Sequence, residues 1–335
     1  MRGTLAVLAV LGMLGVTAPL AAHDPVTTKI TFDREVRAIL QARCGACHSA
    51  GAPAPMPLTT YDDVRPWARA IKDQVLTRRM PIWHAARGYG AFANDPSLTP
   101  AEIAVLAAWI DGGQPRGSSA AAPPPPDPAV AAFTRRSMPF AIGESASRAA
   151  VPVPSEWIGG WDFEPGDPLV TSATLTSADG TPIGTWVAGD GPVVLRANAG
   201  MRVASPLDVD IRRRKTADYE KPFTPTSSVL RVVPLPAPPT RRVWVETAAC
   251  GAPRTTRGAA LLAVRPLIAD AASARVWVER PGAPRAIVGW FRDTDARYPR
   301  AYWLARPADL PPESRLQSDV PCRLELTLMS ASSTP

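Results

Sequence analysis

Two cysteines and a histidine stand together in the run Cys44-Gly45-Ala46-Cys47-His48. Two thiols at this spacing, followed directly by an imidazole, are typical of a c-type haem attachment site. Each thiol adds across one vinyl group of the porphyrin, and the next side chain presents an imidazole nitrogen to the iron. A redox Cys-x-x-Cys pair needs no histidine, and a zinc knuckle needs a second ligand pair, which does not follow here. The run predicts one covalent haem c on Cys44 and Cys47, with His48 as the proximal iron ligand.

The second iron ligand is predicted in the sequence Met-Pro-Ile-Trp-His that begins at Met80. A methionine sulfur is a common partner of histidine on haem iron, and Pro81 restricts Met80 to an extended backbone. Met80 is therefore the predicted distal ligand. The alternatives are Met56, which is close in sequence to His48, His84, which would give a bis-histidine iron, and a five-coordinate iron with Met80 packed in the core.

The N-terminus has the pattern of a secretory signal peptide. Arg2 precedes an apolar run from Leu5 to Leu20, and small residues end at Ala22. This pattern predicts a signal peptide over residues 1–22 and a periplasmic or otherwise exported protein, although cleavage itself is left open. Haem is attached to such motifs outside the cytoplasm, so the two predictions agree. No later apolar run is long enough to span a membrane.

Helical patterns flank the cysteine motif. Apolar residues recur at spacings of three and four over Thr31–Arg43, Thr60 is a candidate N-cap, and Thr99 begins a capping box with a helix that ends at Gly112. These patterns predict a helical domain over residues 26–116.

Residues 30–116 resemble a family of bacterial cytochrome c-like domains. The resemblance is carried by an Ala-Pro-Met-Pro-Leu segment, an Arg-Pro-Trp-Ala helix and an Arg-x-Met-Pro-x-Trp segment, here Ala54–Leu58, Arg65–Ala68 and Arg78–Trp83. It implies an all-α haem domain with His48 and Met80 as axial ligands. Ile82 stands where a second proline is frequent.

A proline- and alanine-rich stretch separates this region from a different kind of sequence. Residues 117–134 are predicted as a linker, because four consecutive prolines form a stiff spacer that builds no core. Short β-branched and aromatic runs with intervening turns then predict an all-β sandwich or jelly-roll domain over residues 135–330. The predicted strands are Val170–Thr176, Val193–Leu195, Val229–Val233, Val243–Glu246, Ala260–Val264, Arg275–Glu279, Ile287–Phe291 and Arg323–Leu328.

The second half is similar, more weakly, to the C-terminal jelly-roll domain of copper-dependent, ascorbate-linked monooxygenases. The similar segments are Gly184–Gly189, Asp208–Val233 and Leu261–Val278. The copper-bearing relatives have a His-Tyr pair near Asp210 and a His-Met-His segment near Arg265. This chain has three histidines, His23, His48 and His84, and none of them lies in the second half. The resemblance therefore implies a degenerate domain without its copper histidines.

Two further cysteines remain in the second half. Because the haem motif uses the first pair, Cys250 and Cys322 are predicted to form a disulfide in an exported β-domain. A reactive thiol pair is the alternative, but neither residue stands in a Cys-x-x-Cys motif or beside a histidine.

These observations together predict an exported monohaem c-type cytochrome that transfers one electron at a time through His/Met-ligated iron. An electron carrier is expected rather than a catalyst. The alternatives are a haem-linked oxidoreductase whose β-domain binds substrate, and a haem-based sensor or binding module. The expected partner is an unidentified redox protein. The formal charge is +7, but the one basic cluster, Arg212–Lys215, is interpreted as a solvated strand end, so nucleic acid is not an expected partner.

Overall fold

Most of the regular secondary structure in the described residues is β-strand. The computed structural model describes residues 28–49, 52–54, 56–118, 128–215, 223–252 and 258–331. The predicted signal peptide and residues 119–127 of the predicted linker lie outside the described residues.

The strands are rich in β-branched and aromatic residues, and in several of them buried and exposed positions alternate. In the part of the chain that the structure describes they are β1 (Met138–Ile142), β2 (Arg148–Val151), β3 (Trp157–Glu164), β4 (Val170–Ser177), β5 (Pro182–Val187), β6 (Val193–Val194), β7 (Ala199–Arg202), β8 (Leu207–Arg213), β9 (Ser228–Pro234), β10 (Arg241–Ala249), β11 (Ala259–Leu267), β12 (Ala274–Arg280), β13 (Ala283–Phe291), β14 (Tyr302–Leu310), β15 (Arg315–Ser318) and β16 (Arg323–Ser330).

The described strands form three sheets around two apolar cores. A nine-stranded sheet has the order β1-β9-β3-β7-β10-β16-β11-β14, with β6 paired to β3. The first core lies between one half of this sheet and the four-stranded sheet β2-β8-β4-β5, and it includes Trp161, Phe163 and Trp186. The second core lies between the other half and the three-stranded sheet β13-β12-β15, and it includes Phe291 and Tyr302.

One parallel pairing joins the two halves of the long sheet. β10 pairs with β7 in parallel, with Arg241 opposite Ala199 and Val243 opposite Met201. The other pairings of the long sheet are antiparallel. A single sheet therefore lies against both cores. The hydrogen bonds between β7 and β10 connect its two halves.

The helices precede the first strand. A π-helical turn (Phe32–Val36) leads into α1 (Arg37–Arg43), and α2 (Tyr61–Val64) and a 3-10 turn (Arg65–Trp67) lead into α3 (Ala68–Leu76), followed by α4 (Pro100–Asp111) and α5 (Pro128–Arg136). Thr60 with Asp63, and Thr99 with Glu102, form capping boxes at the starts of α2 and α4. The first four helices share an apolar cluster that includes Phe32 and Trp109. In the described residues no helix is long and apolar enough to cross a membrane.

The chain between α3 and α4 pairs with the β-structure. The amides of Ala86 and Ala93 donate to the carbonyls of Trp290 and Trp303, at 2.7 and 2.8 Å. In return, the amides of Arg292 and Ala305 donate to carbonyls of this segment, at 2.8 and 2.9 Å. Trp83 and Phe92 also pack their rings against Tyr302, with centroids 4.7 and 5.5 Å away.

The predicted fold class, an all-α haem domain followed by a separate all-β domain, is therefore wrong. The structure is mainly β, and Ala85, from the predicted helical domain, is buried in the second β core. Helical periodicity is a local property of the sequence, whereas the pairing of this segment with β13 and β14 depends on residues far along the chain. Residues 128–134 of the predicted linker lie in α5, whose Phe133 is buried.

The pairing predicted for Cys250 and Cys322 is present. Their sulfurs form a disulfide with a Cα–Cα distance of 5.4 Å, and the Cys250 amide donates to the Cys322 carbonyl at 2.9 Å. The bond joins the end of β10 to the start of β16.

Replacing Cys250 and Cys322 with serine tests the contribution of this bond. The bridged residues are 72 apart, so we expect the free energy of unfolding to fall by about 2–5 kcal/mol, because the unfolded chain gains loop entropy. Urea unfolding of the wild type and of the double variant measures the loss. The variant should also be insensitive to reductant, and equal stabilities would contradict the expectation.

Candidate functional site

Cys44, Cys47 and His48 lie on one helical turn that continues from α1. The Cys44 amide donates to the Leu40 carbonyl, and the amides of Cys47 and His48 both donate to the Cys44 carbonyl, at 3.0 and 2.8 Å. Both cysteines are unpaired thiols and half-buried. The turn therefore presents two thiols and one imidazole from a single rigid stretch of backbone.

The His48 ring is oriented by the chain that follows it. Its Nδ1 lies 2.9 Å from the Met56 carbonyl oxygen, and because a carbonyl only accepts, Nδ1 carries the proton. The Leu58 amide donates to the His48 carbonyl at 2.7 Å, which closes the loop around the ring. Burial lowers the pKa of His48 below its ordinary value. Burial thus favours the neutral imidazole, in which Nε2 carries the lone pair, as in histidines that bind metals.

The two thiols lack the environment of catalytic cysteines. Burial, and then the nearby Cys47 sulfur, raise the pKa of Cys44 to about 12. Burial also raises the pKa of Cys47, against the effect of Arg300. A nucleophilic cysteine needs a lowered pKa, so this pair is poorly suited to thiol–disulfide exchange or to nucleophilic catalysis.

The turn after β5 contacts the Cys47 sulfur. Gly189 has φ +88°, and a Cβ placed on it would lie 2.5 Å from Cys47 Sγ. Arg300 also fixes this turn, with its Nη1 2.6 Å from an Asp190 carboxylate oxygen and its Nη2 donating to the Ala188 carbonyl at 2.9 Å. Burial raises the pKa of Asp190 to about 6, although Arg300 opposes the shift.

Two arginines of the basic cluster at the end of β8 make contacts within the protein. Arg213 pairs with the buried Asp167 at 2.9 Å, and Arg214 donates to the carbonyl of Pro53, in the loop that follows His48, at 3.3 Å. From the sequence this cluster was interpreted as a solvated strand end. A turn at Gly189 was predicted, but its contact with Cys47 and the role of Arg300 were not. The only sequence signal for the turn was Gly189-Asp190-Gly191, which predicts a turn but not its contact.

Met80 and His84, the candidate iron ligands outside this turn, differ in their exposure to solvent. Met80 follows α3 with 38% of its surface exposed, and in the described residues no hydrogen bond joins it to His48. The Nε2 atom of His84 is buried and has no hydrogen-bond partner there. Burial lowers the pKa of His84, with Asp295 and Arg300 as charged neighbours. The structure thus brings together Cys44, Cys47 and His48, and separately Cys250 with Cys322.

Comparisons with known proteins identify no family. No protein-family model matches the chain, and no curated protein matches it. Among solved structures, the major capsid protein P2 from bacteriophage PM2 is 9% identical, with a TM-score of 0.31 over 59% of this chain and 98% of the phage protein. A second solved structure, the STIV MCP, is also 9% identical, with a TM-score of 0.24 over 58% of this chain and 96% of the STIV chain.

The predicted class and function are corrected by these findings. The sequence predicted a cytochrome c-like protein, fused to a degenerate copper monooxygenase domain, that carries electrons on His/Met-ligated haem iron. The β-rich fold, with residues 84–94 paired to β13 and β14, contradicts an all-α cytochrome domain. In the described residues no group of three or more histidine, cysteine or acidic side chains could hold a metal ion, and no comparison supports the class. The electron-carrier function and its haem-enzyme and haem-sensor alternatives rested on that class and are wrong with it.

The contact at Gly189 is tested by a matched pair of substitutions. Gly180 has φ +82° and no atom within 4 Å of an added Cβ, so Gly180→Ala should cost only the left-handed backbone penalty of about 1–2 kcal/mol. Gly189→Ala adds a clash with Cys47 Sγ and should cost about 1–3 kcal/mol more. Urea unfolding of both variants measures the difference, and equal losses would show that Cys47 does not restrict position 189.

The burial of His84 predicts a pH effect with a definite sign. Because its pKa is lowered in the folded state, the unfolded chain binds more protons as the pH falls through 6.5. The stability that neutral His84 contributes above pH 6.5 should therefore be lost progressively below it. We expect the wild type to lose stability relative to His84→Gln between pH 7.5 and pH 5. A difference between the two proteins that does not change with pH would contradict this.

Proposed function

We propose that the turn Cys44–His48 carries one covalently attached haem c. Cys44 and Cys47 would form its thioether bonds, and His48 would be an iron ligand. The observation that carries the proposal is the 2.9 Å contact between His48 Nδ1 and the Met56 carbonyl, which orients the imidazole and places a proton on Nδ1, so that Nε2 is the nitrogen that would bind iron. The proposal concerns the cofactor and its attachment residues, and it does not restore the electron-carrier function.

The residues present fit this group in three respects. The two thiols are unpaired and lie on the same helical turn as the imidazole. Their raised pKa values disfavour the competing use of a Cys-x-x-Cys pair as a reactive dithiol. The β-structure contacts the motif at Gly189, beside Cys47, and contacts the chain that follows the motif through Arg214 and the Pro53 carbonyl. When bound, haem supplies an iron centre that the neutral His48 coordinates.

Met80 is the proposed second iron ligand. Its thioether is the soft ligand that commonly stands opposite histidine on haem iron. It lies directly after α3, and Pro81 follows it. Met56 and His84 are the other candidates, and the experiment below distinguishes all three.

An exported, periplasmic location belongs to the same proposal. Haem is attached to this motif outside the cytoplasm, and the Cys250–Cys322 disulfide is of the kind that persists in an oxidising compartment. The internal contacts of Arg213 and Arg214 support a structural role for the basic cluster rather than a nucleic-acid partner.

The test is expression of the full chain in a bacterial periplasm together with a c-type haem attachment system. We expect the purified, denatured protein to keep a mass increase of one haem. Cys44→Ala with Cys47→Ala should abolish this increase, whereas serine at both Cys250 and Cys322 should leave it unchanged. A wild type that loses all haem on denaturation, or a double Cys44 and Cys47 variant that keeps it, would overturn the proposal.

The ligand assignment is read from the absorption spectrum of the same preparation. Met80→Ala should remove the methionine–iron charge-transfer band of the oxidised protein. Met138→Ala, at a position of similar exposure (42%), is the matched control and should change nothing. A spectrum that survives Met80→Ala but changes with Met56→Ala or His84→Gln would assign the ligand to that residue instead and reject Met80.

A further inference from the structure

The outer face of the three-stranded sheet is both aromatic and cationic. β12 turns Val276 and Val278 into the second core and leaves alternate residues outside. We call the outward surface the Arg–Trp face, and it consists of Tyr89, Arg275, Trp277, Arg285, Ile287, Trp290 and Arg292.

The strand register sets the spacing of the two indoles. Arg275 lies opposite Trp290, and Trp277 lies opposite Ile287, so the tryptophans occupy diagonal positions on neighbouring strands. Tyr89 extends the platform, with its ring centroid 4.9 Å from that of Trp290 in an edge-to-face arrangement. Ile287 is 45% exposed. An apolar surface kept on the outside of a sheet is a mark of an interaction site.

Arginines line both tryptophans. The guanidinium of Arg285 lies 5.6 Å from the Trp277 ring centroid, and that of Arg292 lies 5.1 Å from the Trp290 centroid. Among the described residues, neither of these arginines forms an ion pair with a carboxylate. Arg275 pairs with Asp319 at 2.7 Å, at the edge of the face. Glu279, on the same face, is a charged neighbour of Arg285. The guanidinium groups of the face nevertheless outnumber its carboxylates, and two of them lie over the indole rings.

We propose that the Arg–Trp face binds an acidic polysaccharide, a chain of uronic acid sugars. The flat C–H faces of sugar rings stack on indoles, and a guanidinium fork matches a carboxylate with two parallel hydrogen bonds. A small anion alone would not need the tryptophans, and a neutral sugar would not need the arginines. An open sheet face suits a long chain better than a single small molecule. The binding chemistry does not depend on the haem proposal, but the choice of an extracellular polymer rests on the exported location proposed with it.

The contacts assign a role to each group. The carboxylates of the polymer bind Arg285 and Arg292, whose guanidiniums lie over the indole rings, and its sugar rings pack against the parts of Trp277 and Trp290 that the arginines leave exposed. Glu279 accepts from the Trp277 indole Nε1 at 3.1 Å, which fixes the orientation of that ring before the ligand arrives. The exported location proposed above favours an extracellular polymer over a nucleic acid, which has comparable chemistry.

The experiment is titration of the full-length protein with polygalacturonate at low salt. Replacing Arg285 and Arg292 with alanine should weaken binding at least tenfold, because charge-assisted hydrogen bonds are lost. Trp277→Ala should also weaken it, and Trp277→Phe should restore part of the loss. Arg148→Ala, an exposed arginine on β2, is the matched control and should bind like the wild type.

Four outcomes would overturn the proposal. They are no binding of polygalacturonate, equal binding by the Arg285 and Arg292 variant, equal binding of a neutral polygalactan, and tighter binding of single-stranded DNA than of polygalacturonate. Circular dichroism of each variant shows whether it has folded. Should the alanine variant fail to fold, Arg285→Glu alone replaces it, because that exposed position tolerates charge and should still abolish binding.

Discussion

The backbone pairing of residues 84–94 with β13 and β14 is the constraint on which the rest of the structure depends. Its hydrogen bonds alternate in direction between the two partners, as in a sheet, and they bring Ala85 and the ring of Phe92 against the second core. Because α3 and α4 flank this segment, the pairing also fixes where the helical cluster stands. The turn that bears Cys44, Cys47 and His48 is placed against the β-structure as a result.

A buried ion pair fixes the turn that contacts Cys47. Arg300 is almost fully buried, and its guanidinium contacts both the Asp190 carboxylate and the Ala188 carbonyl. A buried ion pair has a large desolvation cost, so it contributes more to specifying one arrangement than to net stability. Here the arrangement it specifies is the approach of Gly189 to Cys47.

The parts of the fold that depend on neighbouring residues could be predicted from the sequence. The capping box at Thr99 and the glycine stop of α4 were predicted correctly, because caps are determined within four residues. The strand β4 was predicted from its local pattern of residues. The Cys250–Cys322 pair was predicted by elimination, because the motif uses the other two cysteines of the chain. The cysteine motif was identified from spacing alone, without any knowledge of what surrounds it.

The parts that depend on distant residues could not be predicted. Nothing near Ala85 in the sequence indicates that it pairs with a strand about two hundred residues later, so its region was assigned to an all-α domain. Pro128 opens α5 at a place where prolines suggested only a spacer, because the apolar partner of Phe133 is not local. The sequence around Arg300 does not indicate that it pairs with Asp190, because the two residues meet only in the folded chain.

The contact between Gly189 and Cys47 also has an evolutionary consequence. A side chain at position 189 has no room while a sulfur occupies its present place at position 47. Among relatives of this chain, a cysteine at the second motif position should therefore occur with a glycine at the turn, and the two positions should change together. Such covariation would link the motif to the β-structure in sequence data, where neither residue alone reveals the connection.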